Sequence, residues 1–151
     1  MQKQKERDNR ISWDDYFFSI VDLVSQRSVC LKHQIGAVIV KDNQILSTGY
    51  NGPASGIEHC ITCPILDTPH GVNRNLCPAV HAEMNALVLA AKRGISVDGA
   101  TLYCSYFPCS LCASCLITAG IAEIVFLHGY TDALNTKILS QSNIKTRFLE
   151  V

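Results

Sequence analysis

The stretch that decides the fold is residues 100–127, ATLYCSYFPCSLCASCLITAGIAEIVFL. Residues 100–106 predict a strand, and residues 109–119 predict a helix that ends at Gly120. Residues 121–127 follow at once and predict a second strand, which is apolar enough to be buried. A strand, a helix and a strand in direct succession indicate an α/β fold.

The sequence on either side continues this alternation. The other predicted elements are a helix over 12–26, strands over 35–40 and 44–49, helices over 80–93 and 131–142, and an edge strand over 145–151. Ser12 and Thr131 are placed to cap their helices, and Trp13 begins an apolar stripe that we expect in the core. The pattern predicts a three-layer α/β/α domain around a central mixed five-stranded sheet, with residues 1–11 flexible.

Length and charge narrow the class of protein. The chain has 151 residues, 48% of them hydrophobic and 17% charged, which predicts a single domain over 1–151 with its own core. Thirteen Lys and Arg balance thirteen Asp and Glu. This balance gives no general basic field for nucleic acid, whereas a small anionic ligand needs only one or two cations.

The chain has eight cysteines, and their expected role depends on whether the protein lies in a reducing or an oxidising compartment. No apolar run approaches the roughly 18–20 residues that cross a bilayer, so no membrane association is expected. The first ten residues alternate basic and acidic side chains and lack the apolar segment of a secretory signal. A cytoplasmic location is therefore predicted, where thiols more often bind metal or react than form disulfides.

Two short motifs predict a zinc site. His81-Ala82-Glu83 begins one predicted helix, and Pro108-Cys109-Ser110-Leu111-Cys112 begins the next. Cys109 and Cys112 are three residues apart, so both sulfur atoms lie on one helix face and can bind a single ion. A first helical turn also stabilises thiolates through its free N–H groups and its dipole.

Three protein ligands leave the fourth zinc position open to water, which becomes a nucleophile near neutral pH. Glu83 is only two residues from His81, which makes it unsuitable as a second ligand of the same ion. Its carboxyl group is instead suited to carrying protons to and from the bound water. The combination of His-x-Glu with a later Pro-Cys-x-x-Cys is an established signature of zinc deaminases. Cys-x-x-Cys alone would more often be a structural half-site or a redox pair.

Cys104 and Cys115 are expected to be buried, apolar thiols.

The sequence resembles the deoxycytidylate (dCMP) deaminase family of the cytidine deaminase superfamily. The resemblance runs from about Trp13 to Tyr130. The segments that carry it are IGAVIV at 35–40, STGYNGP at 47–53, HAEMNA at 81–86, ATLY at 100–103 and FPC at 107–109.

The resemblance implies hydrolysis of dCMP to dUMP and ammonia, a reaction that supplies dUMP for thymidylate synthesis. It implies that His81, Cys109 and Cys112 hold Zn²⁺. Glu83 would take the proton of the zinc-bound water, protonate ring nitrogen 3, and pass a proton to the departing amine. Its pKa must be tuned toward neutrality for this role.

Substrate contacts are also implied by the resemblance. Asn51 would contact the nucleoside, although it also suits a turn that leaves the hairpin. Arg27 would meet the 5′-phosphate, unless it is a solvated arginine at a helix end. Tyr130 would stack on the base, unless it belongs to the core. Ala82, within the His-x-Glu segment, is the fourth implied contact.

The remaining cysteines lie in or beside a long irregular segment over 51–79, and such segments are usually functional. Cys30, Cys60, Cys63 and Cys77 are predicted to hold a second, structural zinc, and some family members carry one where Cys30 and Cys60 stand. His59 and His70 could each replace one thiolate. Buried free thiols are the alternative.

The family commonly forms hexamers that dCTP activates and dTTP inhibits, so a homo-oligomer with these effectors is implied. Three alternatives remain. A tRNA adenosine deaminase would need a basic face. A free-nucleoside cytidine deaminase usually has Cys where His81 stands. A non-catalytic zinc-stabilised binding module would have no need for Glu83.

Overall fold

The protein is described by a computed structural model that covers residues 9–69, 72–129 and 133–150. The helices are α1 (Trp13–Ser25), α2 (Ala82–Lys92), α3 (Ser110–Thr118) and α4 (Ala133–Ser140). The strands are β1 (Gly36–Lys41), β2 (Gln44–Tyr50), β3 (Gly52–Pro53), β4 (Ala79–Val80), β5 (Thr101–Tyr106), β6 (Glu123–His128) and β7 (Lys145–Phe148). None of the helices in these ranges is long and apolar enough to cross a membrane.

Five of the strands form one mixed sheet in the order β2-β1-β5-β6-β7. β1 is antiparallel to β2 and β5, whereas β6 is parallel to both β5 and β7. The β1–β2 hairpin turns at Asp42 and Asn43, which both have positive φ angles and so suit a two-residue turn. The predicted mixed five-stranded sheet, with β7 at its edge, is confirmed.

Alternate side chains of β1 pack into two separate cores. Ala37 and Ile39 join the core formed with α2, α3 and α4, while Val38 and Val40 face α1. Because a strand places successive side chains on opposite faces, this alternation sets helices on both sides of the sheet. The three-layer α/β/α architecture is therefore confirmed.

Two glycines allow the helices to lie directly on the hairpin strands. A Cβ atom at Gly49 would come within 2.2 Å of the Ala82 carbonyl oxygen, and one at Gly36 within 2.2 Å of the Val21 carbonyl oxygen. Any larger residue would push a helix backbone away from the sheet. At Gly49 the helix is α2, so this close approach fixes the start of that helix relative to β2.

Some expectations from the sequence need correction. Trp13 is not in the core: 54% of it is exposed, and its ring stacks on Phe17, which fills the core instead. Cys115 is only partly buried, whereas Cys104 is fully buried as expected. The Ser12 cap is confirmed, because its hydroxyl accepts the Asp15 N–H at 3.0 Å.

The remaining differences concern element ends and the long segment. The helix expected over 80–93 begins at Ala82, because Ala79–Val80 pairs with Gly52–Pro53 as a short two-stranded ladder. This ladder closes the base of the segment over 51–79. Residues 1–8 of the segment expected to be flexible over 1–11 lie outside the described residues, as does the expected Thr131 cap.

An ionic network joins α1 to the edge strand. The Arg147 guanidinium donates to both carboxylate oxygens of Asp14, at 3.0 Å for Nη2–Oδ1, and its Nε donates to Glu123 Oε1 at 3.3 Å. The Tyr103 hydroxyl donates to Asp14 Oδ1 at 2.9 Å. The hydrogen bond from Arg147 lowers the pKa of Asp14, while burial and the neighbouring carboxylate raise the pKa of Tyr103 to about 12.

This network predicts a pH-dependent part of the free energy of unfolding. Because the pKa of Asp14 is lower in the folded protein than the unfolded value of about 3.9, the ionised carboxylate stabilises the fold at pH values above about 3.9. This stabilisation is lost as the pH falls through the pKa of the folded state. Asp14→Asn is expected to cost about 1 kcal/mol at pH 7, because the pair is partly exposed and screened. The difference should shrink below about pH 4. Urea unfolding at pH 7 and pH 3.5 measures it.

Asp15→Asn is the matched control, because it removes a carboxylate from the same helical turn without touching Arg147. It should reproduce the helix-dipole contribution, together with any weakening of the hydrogen bond that the Ser12 hydroxyl donates to Asp15 at 2.7 Å. An equal loss of stability in both variants, or a loss in Asp14→Asn that is the same at both pH values, would contradict the role of the ion pair.

Candidate active site

The two zinc motifs lie at the starts of neighbouring helices, as predicted. His81 is the N-cap of α2 and Cys109 is the N-cap of α3, and both have extended backbone angles. Cys112 lies in the first turn of α3 and is buried. Because α2 and α3 pack on the same face of the sheet, their first residues can meet, and His81 contacts both Cys109 and Cys112.

The side chains of these three residues are in contact. His81 Nδ1 lies 3.2 Å from Cys112 Sγ and 3.4 Å from Cys109 Sγ. Zn–N and Zn–S bonds of normal length in a tetrahedral site put nitrogen and sulfur about 3.6 Å apart. Within the described ranges, these residues form the only group of three or more His, Cys, Asp or Glu side chains with ligand atoms this close together. Their spacing and chemistry fit Zn²⁺.

A hydrogen bond couples the Cys109 and Cys112 side chains. The hydrogen bond from Cys112 lowers the pKa of Cys109, and His81 lowers it further. The same hydrogen bond, together with burial, raises the pKa of Cys112. Only one thiolate is therefore favoured in the protein alone, and a divalent cation would offset the cost of the second negative charge.

Glu83 is buried next to this group. It is 5% exposed, in the first turn of α2. Burial raises the pKa of its carboxyl group, while the neighbouring His81 lowers it in part. A carboxyl group with a raised pKa can both accept and donate a proton near neutral pH.

A fifth residue that contributes to the site, Asn135, could not be identified from the sequence. Asn135 of α4 is completely buried, and its amide nitrogen donates to the Pro108 carbonyl oxygen, directly before Cys109. This contact ties α4 to the turn that presents the first cysteine. A polar residue on a short helix cannot be recognised as buried until its packing partners are known, so pattern alone could not reveal it.

A cavity of about 330 Å³ opens beside the three candidate ligands. His81, Cys109, Ser110 and Leu111 form one side of it. The other lining residues come from the loop before β1 and the long segment: Cys30, Lys32, His33, Ile35, Asn51, Cys63, Ile65, Val72, Arg74, Cys77 and Ala79. The basic residues among them were not identified from the sequence, because they lie in segments with no periodic pattern.

Asn51 lines this cavity, and its side chain also holds the backbone. Its Oδ1 accepts the Ile35 N–H at 2.8 Å, and its Nδ2 donates to the His33 carbonyl oxygen at 2.8 Å. The Ser28 hydroxyl donates to the Asn51 carbonyl oxygen. Asn51 thus holds the loop before β1 against the end of β2, and one amide hydrogen remains for a ligand.

The other expected substrate contacts are placed differently. Arg27 is exposed at the end of α1, and it is not among the described residues that line the cavity. Ala82 is fully buried, with its carbonyl oxygen against Gly49. Tyr130 lies outside the described residues, as does His70.

The four cysteines of the expected second zinc site are only partly assembled. Cys30, Cys63 and Cys77 line the same cavity, whereas Cys60 is not among its described lining residues. All four are free thiols of intermediate burial. No three of them have sulfur atoms close enough together to form a ligand group.

Comparison with known proteins gives consistent matches. Residues 11–128 match the model of the cytidine and deoxycytidylate deaminase zinc-binding region. The deoxycytidylate deaminase of Saccharomyces cerevisiae is 35% identical over 97% of this chain, which spans only 47% of that relative. The deoxycytidylate deaminase of Mycobacterium phage D29 is 39% identical over 78% of this chain and 96% of its own length.

A solved structure is similar over nearly its whole length. The dCMP deaminase of the cyanophage S-TIM5, crystallised with dCMP and dUMP, superposes with a TM-score of 0.76 at 29% identity. The match covers 89% of this chain and 95% of that one. With the matching zinc-binding region and the His-Cys-Cys group, these similarities show that the chain belongs to the cytidine and deoxycytidylate deaminase family and has its zinc site.

Proposed function

We propose that the protein deaminates dCMP hydrolytically to dUMP and ammonia. The observation that carries the proposal is the buried Glu83 carboxyl beside the His81-Cys109-Cys112 group, because a purely structural metal site needs no such acid. The deoxycytidylate deaminases among its relatives, and the similar structure that holds dCMP and dUMP, support the choice of substrate.

His81, Cys109 and Cys112 would hold Zn²⁺, which supplies Lewis-acid activation of water when bound. Glu83 performs the proton transfers. It accepts one proton from the attacking water and delivers it to ring nitrogen 3. It then accepts the second proton from the hydroxyl group that the water has become on ring carbon 4 and transfers it to the exocyclic amine, which leaves as ammonia while the carbonyl group forms. Atoms balance as one water in and one ammonia out.

The cavity that His81 and Cys109 line would hold the nucleotide. Asn51 is proposed to donate its remaining amide hydrogen to the nucleoside, while Tyr130, Ala82 and Arg27 stay predictions as further contacts. In this proposal, residues 1–151 act as one zinc-dependent deaminase domain in the cytoplasm, and the product dUMP supplies thymidylate synthesis.

The test is a substrate panel on the zinc-loaded protein. It contains dCMP, CMP, deoxycytidine, dCTP and a tRNA anticodon stem-loop, followed by ultraviolet absorbance and ammonia release. Turnover with dCMP as the preferred substrate is expected. Turnover of the RNA alone would indicate a tRNA adenosine deaminase, and no turnover at full zinc occupancy would indicate a binding module.

A second, structural zinc is also proposed, with Cys30, Cys60, Cys63 and Cys77 as its ligands. It is supported by the three of these residues, Cys30, Cys63 and Cys77, that line the same cavity, since a cysteine-rich loop with little regular structure gains most from a metal. Elemental analysis tests this proposal. About two zinc ions per chain are expected, and one per chain would remove the second site.

An oligomeric state and a regulation by nucleotides are also proposed, both by analogy with the family. A hexamer activated by dCTP and inhibited by dTTP is expected. Sedimentation with and without each nucleotide, combined with initial rates, measures both properties. Identical rates with and without the two effectors would contradict the regulation, and a monomer would contradict the assembly.

A further inference from the structure

Asn135 is a buried polar residue that takes no part in the proposed proton transfers. It is completely buried, and together with Leu139 it forms the buried side of α4. A buried amide is costly unless it forms hydrogen bonds, so a polar side chain at this position needs a partner. The Pro108 carbonyl oxygen is one such partner, because it accepts a hydrogen bond from the Asn135 side-chain nitrogen.

The chemistry of this contact requires the amide of Asn135. A carbonyl oxygen can only accept a hydrogen bond, so the NH₂ group of the side chain must face Pro108. An aliphatic side chain at the same position would have no donor, and the Pro108 carbonyl oxygen would lose this hydrogen bond. The contact therefore depends on the donor and not only on how well the position is filled.

The carbonyl oxygen that Asn135 binds belongs to the peptide group that ends at the Cys109 nitrogen. Because a peptide group is planar, a bond that holds the Pro108 oxygen also sets the direction in which the chain enters Cys109. A single side-chain torsion, χ1, then places the sulfur atom relative to the Cys109 backbone. The position of that sulfur, 3.4 Å from His81 Nδ1, thus depends directly on how this peptide group is held.

Cys109 depends on support from outside its helix more than Cys112 does. Cys112 lies within α3, whereas Cys109 is the N-cap, with extended backbone angles and no capping hydrogen bond from its side chain. The Cys109 carbonyl oxygen accepts the Ala113 N–H at 2.8 Å. This bond fixes Cys109 only on the side from which the chain continues into the helix.

The side from which the chain enters is held by β6 and α4. The Phe107 N–H donates to the carbonyl oxygen of His128, the last residue of β6, at 2.9 Å. Pro108 has no N–H to donate, so its carbonyl oxygen is the one backbone group through which a conventional hydrogen bond can hold it. Asn135 uses that group, and the two contacts together hold the turn before Cys109.

We infer that Asn135 is a positioning residue for the zinc ligand Cys109, and that its hydrogen bond to the Pro108 carbonyl oxygen strengthens zinc binding. Hydrogen-bonding partners that orient metal ligands typically change metal affinity by about 10- to 100-fold. The inference rests on the His81-Cys109-Cys112 group and not on the choice of substrate. Zinc binding therefore tests it without any turnover.

The experiment measures zinc affinity by competition with a chromophoric chelator. The ion concerned is the one that a Cys112→Ser variant fails to bind. Asn135→Ala and Asn135→Leu should each weaken the binding of this ion roughly 10- to 100-fold, because both lack the donor. Asn135→Gln keeps an amide donor on a longer side chain and should recover part of the loss.

Leu139→Ala is the matched control, because it also truncates a buried side chain of α4, one helical turn further on. It should lower the melting temperature of the zinc-free protein and leave zinc affinity unchanged, since a leucine donates no hydrogen bond. Added zinc should raise the melting temperature of Leu139→Ala as much as that of wild type, and that of Asn135→Ala by less. If an alanine variant does not fold, Asn135→Leu and Leu139→Val make the same comparison.

Two results would overturn the inference. The first is wild-type zinc affinity in the folded Asn135→Ala and Asn135→Leu variants. The second is an equal loss of affinity in Leu139→Ala, because zinc binding would then follow the packing of α4 and not the hydrogen bond. If wild type binds zinc but does not deaminate dCMP, and the affinities fall in the expected order, the proposed function is wrong and the role of Asn135 stands.

Discussion

Replacing Glu83 with glutamine is expected to lower kcat for dCMP by about 10³-fold or more, since one carboxyl group performs every proton transfer in the proposed reaction. Glutamine has the same shape but cannot accept or release a proton at neutral pH. Zinc content should not change, because His81, Cys109 and Cys112 remain. Steady-state rates and elemental analysis on the same preparation measure both effects.

The Glu83→Gln substitution should leave the thermal stability of the protein unchanged or raise it, although it lowers the activity. Burial raises the pKa of Glu83, which means that its ionised form is costly inside the fold. A neutral amide avoids this cost, so the melting temperature of Glu83→Gln should equal or exceed that of wild type. Glu58→Gln, at an exposed position of the long segment, should change neither property. Glu83→Gln activity within tenfold of wild type would place the proton carrier elsewhere.

The parts of the site that the sequence predicted are those set by local geometry. The spacing of Cys109 and Cys112 puts both sulfur atoms on one face of any helix. Gly120, after α3, has the positive φ angle expected at a helix end. The motif at His81 required only that a helix begin there, and it does.

The parts that the sequence did not predict depend on contacts between distant segments. Trp13 fits the apolar stripe of α1, but Phe17, Phe18 and Val21 already fill the space between that helix and the sheet. Lys32 lies in a segment without periodicity, where a side-chain bond to a remote carbonyl oxygen, that of Ile65, helps to decide the path of the chain. A pattern of apolar spacing carries no information about such bonds.

Cys112→Ser is expected to abolish metal binding at the catalytic site, with one zinc ion fewer per chain than wild type and no measurable deamination. Structural zinc sites bind with about 10–16 kcal/mol shared among four donors, so the loss of one thiolate should weaken binding at least about 100-fold. Serine is nearly isosteric, and its hydroxyl is a much poorer zinc ligand. Competition with a chromophoric chelator measures the affinity.

Cys115→Ser is the matched control, because Cys115 follows at the next three-residue step of the same helix. It lies outside the group of ligand atoms that includes Cys109 and Cys112, and it is only partly buried, so a hydroxyl costs little there. Zinc content and turnover should therefore match wild type. If Cys115→Ser loses zinc and Cys112→Ser keeps it, the ligand pair is Cys109 with Cys115, and the first turn of α3 does not bind the metal as its geometry indicates. The comparison tests helix position alone, since the two substitutions are chemically identical.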